Sequence, residues 1–157
     1  MKAGLGYYRK IFSEITAGNV SCVYLLSGEE NFIMEEMAQK IISSAIGEDT
    51  SGFNLDVEYG SEIDMERFIS TANSYPFMGE KRVLLLKELE RLKGNWKVLV
   101  EYCKKPAPST VLILMLGTHD ESGRKLRQPR DLKNLEKIVA GNGRAIGFEK
   151  LQKGDLV

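Results

Sequence analysis

The chain has 157 residues, 43% of them hydrophobic and 28% charged, which is enough for one globular core and ordinary for one. Its 22 basic and 22 acidic residues balance, so no global field draws it to nucleic acid or to an anionic membrane, and a stand-alone DNA binder is usually more basic. One histidine and two distant cysteines, Cys22 and Cys103, make neither a zinc site nor a disulfide framework, and no apolar stretch approaches a membrane span or a secretory leader; two reduced, buried thiols in a cytoplasmic protein are expected.

In chain order, Tyr8, Ile11, Phe12 and Ile15 follow helical spacing and end before Gly18-Asn19, which predicts a short amphipathic entry helix. Val20 to Leu26 reads as a buried strand, and Ser27-Gly28-Glu29-Glu30-Asn31 turns out of it. Met34, Met37, Ala38, Ile41, Ile42 and Ala45 then line a helix that stops at Gly47. Phe53, Leu55, Val57 and Tyr59 alternate with polar residues, the period of a strand with one wet face near a sheet edge. Ser61-Glu62-Ile63-Asp64 matches a capping box before a helix with Met65, Phe68, Ile69 and Ala72 on one face. Val83-Leu84-Leu85-Leu86 is an unbroken apolar run, the mark of a strand buried on both faces. Trp96, Leu99, Val100 and Cys103 give a further helical face closed off by Pro106 and Pro108, and the run Val111 to Leu116 is another buried strand. Gly117 to Arg130 is polar and aperiodic, expected as a mobile connection. Leu132, Leu135, Ile138 and Val139 mark a last helix, and Ala145 to Phe148 a last strand. About five strands alternating with helices imply a parallel sheet covered on both faces by right-handed crossovers.

The connection Tyr75-Pro76-Phe77-Met78 stands out because it puts large apolar side chains in a turn, where burial is hardest. Pro76 cannot continue the helix and pushes Tyr75 toward extended backbone, so the helix should stop near Ser74 and leave Phe77 and Met78 at a tip. Either a partner grips this tip, or Tyr75 and Phe77 fold back as a cover over the end of the sheet.

In such sheets ligands sit beyond the carboxyl ends of the strands. A phosphate-gripping loop after the first strand needs glycines, a lysine and a Ser or Thr. The chain instead places Glu29 and Glu30 there, and each like-charge pair with a phosphate would oppose binding by roughly 1 kcal/mol even at water-like screening. These carboxylates are read as complements to the positive end of the next helix. At the end of the Val83 strand, Lys87 stands where a metal-holding carboxylate belongs, with Glu88 after it. Gly117 to Lys125 narrowly misses the phosphate-loop pattern, since its glycines are spaced one residue too far apart and Leu126 replaces the Ser or Thr. Arg124, Lys125, Arg127 and Arg130 form a local basic patch that is either solvated surface or a contact for a phosphate backbone or acidic partner. His119, Asp120 and Ser122 are too close in sequence to converge as a triad. A nucleotide-dependent enzyme using Gly28, Lys87 and Glu88, and a nucleic-acid module using the basic patch, remain as alternatives to a binding domain.

A parallel α/β layout of the P-loop NTPase kind without the phosphate-binding residues resembles a catalytically silent member of the AAA+ class. The segments Val23-Tyr24-Leu25-Leu26-Ser27-Gly28-Glu29-Glu30-Asn31-Phe32 and Ala72 to Leu86, with Pro108 to Leu112, Arg124-Lys125 and Phe148-Glu149-Lys150-Leu151, resemble the delta-subunit family of bacterial DNA polymerase III, the clamp-loader wrench. The resemblance implies an AAA+-like clamp-binding domain over residues 1–150 and, over 151–157, the start of a connection to a lid domain. It implies no catalytic residue, no metal, no cofactor and no intrinsic activity. It assigns Pro76 and Phe77, flanked by Tyr75 and Met78, to a plug that enters an apolar pocket of the ring-shaped sliding clamp and springs the ring. Some members of the family carry a Leu-Phe pairing at the plug, from which Pro76 departs. Implied partners are the sliding clamp and, through other domains, the tau/gamma and delta prime subunits, with DNA met only inside the assembled loader and no membrane.

Overall fold

The computed structural model describes residues 4–47, 54–76 and 81–149. The elements are Leu5–Thr16 (α1), Val23–Gly28 (β1), Asn31–Ile46 (α2), Leu55–Tyr59 (β2), Met65–Ala72 (α3), Arg82–Lys87 (β3), a 3-10 turn at Leu89–Arg91, Trp96–Lys104 (α4), Thr110–Gly117 (β4), Leu132–Asn142 (α5) and Arg144–Phe148 (β5). The strands form one parallel sheet in the order β2-β3-β4-β1-β5. The longest apolar runs, β1, β3 and β4, occupy its centre, where both faces are covered. β2 lies at one edge and is the most exposed strand, as its alternation predicts.

Period-two alternation sorts the side chains of the central strands between two cores. Val23, Leu25, Leu84, Leu86, Leu112 and Leu114 face α3, α4 and α5. Tyr24, Leu26, Val83, Leu85, Val111 and Ile113 face α1 and α2. Each buried Leu, Ile or Val contributes about 1.5–3 kcal/mol through removal from water, which is why these runs dictate the sheet's middle. On the α1 side, the Tyr8 ring stacks on Phe148 with centroids 5.1 Å apart, and its hydroxyl donates to the Gly147 carbonyl at 3.0 Å. Arg144 at the start of β5 pairs with Glu14 of α1, so the entry helix and the last strand are tied at both ends.

Some local boundaries differ from the sequence reading. β1 begins at Val23 rather than Val20, because the residues before it form a bend in which the Ser21 N–H donates to the Tyr24 hydroxyl at 2.8 Å. Asp64, not Ser61, caps α3, its carboxylate accepting from Arg67 N at 3.3 Å. Cys103 is buried, whereas Cys22, outside the strand, is only half-buried. Phe53 lies outside the described residues.

Candidate functional site

Parallel strands give the sheet two chemically distinct ends. At the carboxyl end, β1 and β4 are neighbours whose connections leave toward opposite faces, α2 on one and α5 on the other, the crevice where α/β domains hold ligands. A cleft of about 650 Å³ lies there, between Asn31 of α2, Glu90 and Arg91 of the 3-10 turn, and the loop from His119 to Arg127.

Several backbone donors at this end are already engaged. Glu29 N and Glu30 N both donate to the Phe148 carbonyl, at 2.7 and 3.1 Å. Gly28 makes that approach, with φ 147 and no room for a Cβ beside the Phe148 backbone. The Gly117 N–H at the end of β4 donates to Glu90 Oε1 at 2.8 Å. Lys87 Nζ is 3.1 Å from Glu35 of α2, and the Glu88 carboxylate, on left-handed backbone, lies 3.8 Å from Arg91. Among the described residues no group of three or more His, Cys, Asp and Glu side chains could hold a metal ion. None of Gly28, Lys87 and Glu88 lines the cleft.

Glu29 and Glu30 directly precede α2. Glu30 occupies the position before the helix, but its side chain accepts no capping bond, and Glu29 instead lies 3.9 Å from His119 Nε2. The 118–126 segment is a closed hairpin rather than an open connection. Leu126 N donates to Thr118 O, Asp120 N to Arg124 O, and one Asp120 carboxylate oxygen accepts from Ser122 N, Ser122 Oγ and Arg124 N. Those bonds, the Ser122 hydroxyl first, hold the Asp120 carboxyl below its usual range. His119 Nδ1 meets Thr118 Oγ1 at 2.8 Å, so His119, Asp120 and Ser122 serve the loop and not a triad. Arg124, Lys125, Arg127 and Arg130 are all exposed, and Arg127 lines the cleft. Phe32 at the start of α2 is 69% exposed, an apolar surface that the sequence reading did not single out.

The amino end of the sheet carries the apolar connection. α3 ends at Ala72, and its base is fixed from two sides: the buried Thr110 hydroxyl of β4 donates to the Ala72 carbonyl at 2.7 Å, and Arg82 Nη2 of β3 donates to the Tyr75 carbonyl at 3.2 Å. Arg82 is itself 3.7 Å from Asp56 of β2. Ser74 Oγ donates to Thr71 O at 2.7 Å, closing the last turn of the helix. On this base the Tyr75 side chain is 88% exposed, so it does not fold back over the sheet, and Pro76 is half-buried. Phe77 and Met78 lie outside the described residues. Thr110 and Arg82 were not foreseen as supports; a lone Thr opening an apolar run was the available signal for the first.

Fold and site together define a P-loop NTPase-like α/β domain whose strand-end turn is closed by its own chain. The family model described as DNA polymerase III, delta subunit, matches residues 24–140. The chain is 30% identical over 114 residues to DNA polymerase III subunit delta of Bacillus subtilis, covering 67% of this chain and 33% of that protein. It superposes on the solved structure of the B. subtilis DNA clamp loader delta protein with a TM-score of 0.75 at 25% identity, over 92% of this chain and 43% of that one. A gamma-subunit-related DNA polymerase III protein of Thermotoga maritima shares the fold, with a TM-score of 0.60 at 12% identity over 94% of this chain and 47% of that one. The chain belongs to the DNA polymerase III delta-subunit family, and spans about a third of the curated relative it matches. Among the described residues no helix is long and apolar enough to cross a membrane.

Proposed function

We propose that this domain binds a ring-shaped sliding clamp through Tyr75, Pro76, Phe77 and Met78 and, within a clamp loader, favours the sprung form of the ring. The observation that carries the reading is the Tyr75 ring, 88% exposed on a helix end that Thr110 and Arg82 hold in place. A side chain displayed on a fixed base spares the partner the cost of ordering the backbone beneath it, leaving only the side chain's own rotamers to be fixed. An aromatic anchor of this kind buries about 150–250 Å², and its truncation commonly costs ~2 kcal/mol or more. Opening a ring requires no bond chemistry, only a higher affinity for the open conformation than for the closed one.

Membership in the delta-subunit family supports the reading, as does the carboxyl end of the sheet, where the Phe148 carbonyl occupies two N–H groups of the phosphate turn. Nucleotide hydrolysis then belongs to neighbouring subunits, which join through regions outside this chain. DNA is met within the assembly, with Arg124, Lys125, Arg127 and Arg130 as its contact patch.

Titration of this chain against the immobilised cognate clamp tests the proposal. Phe77→Ala is expected to weaken binding by roughly 30-fold or more with an unchanged circular dichroism spectrum and Tm. Undiminished binding with a lowered Tm would instead make Phe77 a core residue and refute it.

A further inference from the structure

A groove of about 490 Å³ runs between α3 and α4, lined by Ile69 and Asn73 of one helix and Lys97, Val98, Glu101 and Tyr102 of the other, with Lys105 at its end. The spacings explain it. Ile69 of α3 and Asn73, which caps it, are four apart, while Lys97 and Glu101 are four apart on α4 and Lys105 caps that helix, so the two sets face each other across the gap. Ile69, Val98 and the buried Tyr102 give an apolar floor, and exposed Lys97, Glu101 and Lys105 give a charged wall.

Two features tie this groove to the tip. Both helices lead into strands of one parallel sheet, so their carboxyl ends lie at its amino end, and Asn73, which caps α3, is followed directly by Ser74 and Tyr75. The charge of the wall is also unbalanced. Glu101 is paired with Lys104, 2.8 Å away, whose hydrogen bond first, and the charge of Lys97 after it, hold the Glu101 carboxyl below its usual range. Lys97 and Lys105 make no ion pair among the described residues, so the surface beside the tip carries net positive charge.

We infer that the α3–α4 groove is the second half of the clamp footprint: an acidic segment of the clamp, beside the pocket that takes the tip, lies along it and pairs with Lys97 and Lys105. The inference rests on the clamp-binding reading. The tip supplies the apolar anchor, whereas the groove sets orientation and encounter rate, the usual work of rim charges.

The test is clamp binding by the whole chain across a salt series, with Lys97→Glu/Lys105→Glu, Phe77→Ala and, as a control of equal charge change, Lys133→Glu/Lys137→Glu on exposed positions of α5. The groove variant should bind roughly tenfold more weakly at about 0.01 M ionic strength and converge on wild type near about 1 M, while the control follows wild type throughout. Lys97→Gln/Lys105→Gln should show a smaller change of the same sign, which keeps the test valid should the reversed pair lower the Tm. If Phe77→Ala abolishes binding but the groove variants match the control, this inference fails and the clamp reading stands. If Phe77→Ala has no effect, both fail. Loss of binding to a labelled DNA duplex in the groove variants, with clamp binding intact, would assign the groove to nucleic acid and overturn the inference.

Discussion

The two ends of the sheet spend their polar groups in opposite ways. At the carboxyl end, donors that could meet a ligand are turned inward: Glu29 and Glu30 N–H to Phe148 O, Gly117 N–H to Glu90, Lys87 to Glu35. At the amino end, Thr110 and Arg82 are spent on backbone carbonyls of the α3–β3 connection, and an aromatic ring is left in solvent. The same fold can thus tie up turn donors at the end where its architecture usually places chemistry and fix a surface at the other end. The two ends differ by a few hydrogen bonds and not by the topology.

The sharpest way to break this contrast is Gly28→Ala. A Cβ there would collide with the Phe148 backbone at a φ that side chains rarely adopt, so a loss of about 3 kcal/mol or more is expected, read as a large fall in denaturation midpoint. Thr110→Val comes next. It keeps the shape but leaves the Ala72 carbonyl buried without its donor, which should cost about 1–3 kcal/mol and weaken clamp binding through the loosened tip. Tyr75→Ala should do the reverse, leaving stability within about 0.5 kcal/mol while lowering clamp affinity several-fold. The smallest effect concerns Glu14, whose carboxyl is held below its ordinary value first by the hydrogen bond from Arg144. A depressed carboxylate stabilises the fold above its unfolded value of about 4.3 and loses that contribution as pH falls through the folded value. Thermal melts of Glu14→Gln and wild type should therefore differ near neutrality and converge in acid.

Much of the fold was legible because burial on two faces leaves a simple mark. The runs Val83 to Leu86 and Val111 to Leu116 could hardly be anything but central strands, and the alternation through Leu55, Val57 and Tyr59 placed β2 at an edge. Strand order was not legible, since it depends on contacts between segments such as Gly28 and Phe148 that lie far apart in the chain. The closing of the phosphate turn was hidden for the same reason. Sequence showed that Glu29 and Glu30 were wrong for a phosphate, but not that their N–H groups were occupied by a strand 118 residues away, from position 30 to position 148. The hairpin after β4 escaped because Asp120 builds it through local bonds to Ser122 and Arg124, which leave no hydrophobic period. Tyr75 was singled out by residue type and place alone, and its exposure needed the structure.

Amide hydrogen exchange of the chain with and without the cognate clamp reads both ends of the sheet in one experiment. New protection is expected over residues 73–82 and along α4 toward Lys105, with residues 28–31 and 117–127 unchanged. Protection gathered around Gly28 and the 117–127 hairpin, with none at the Tyr75 end, would contradict it.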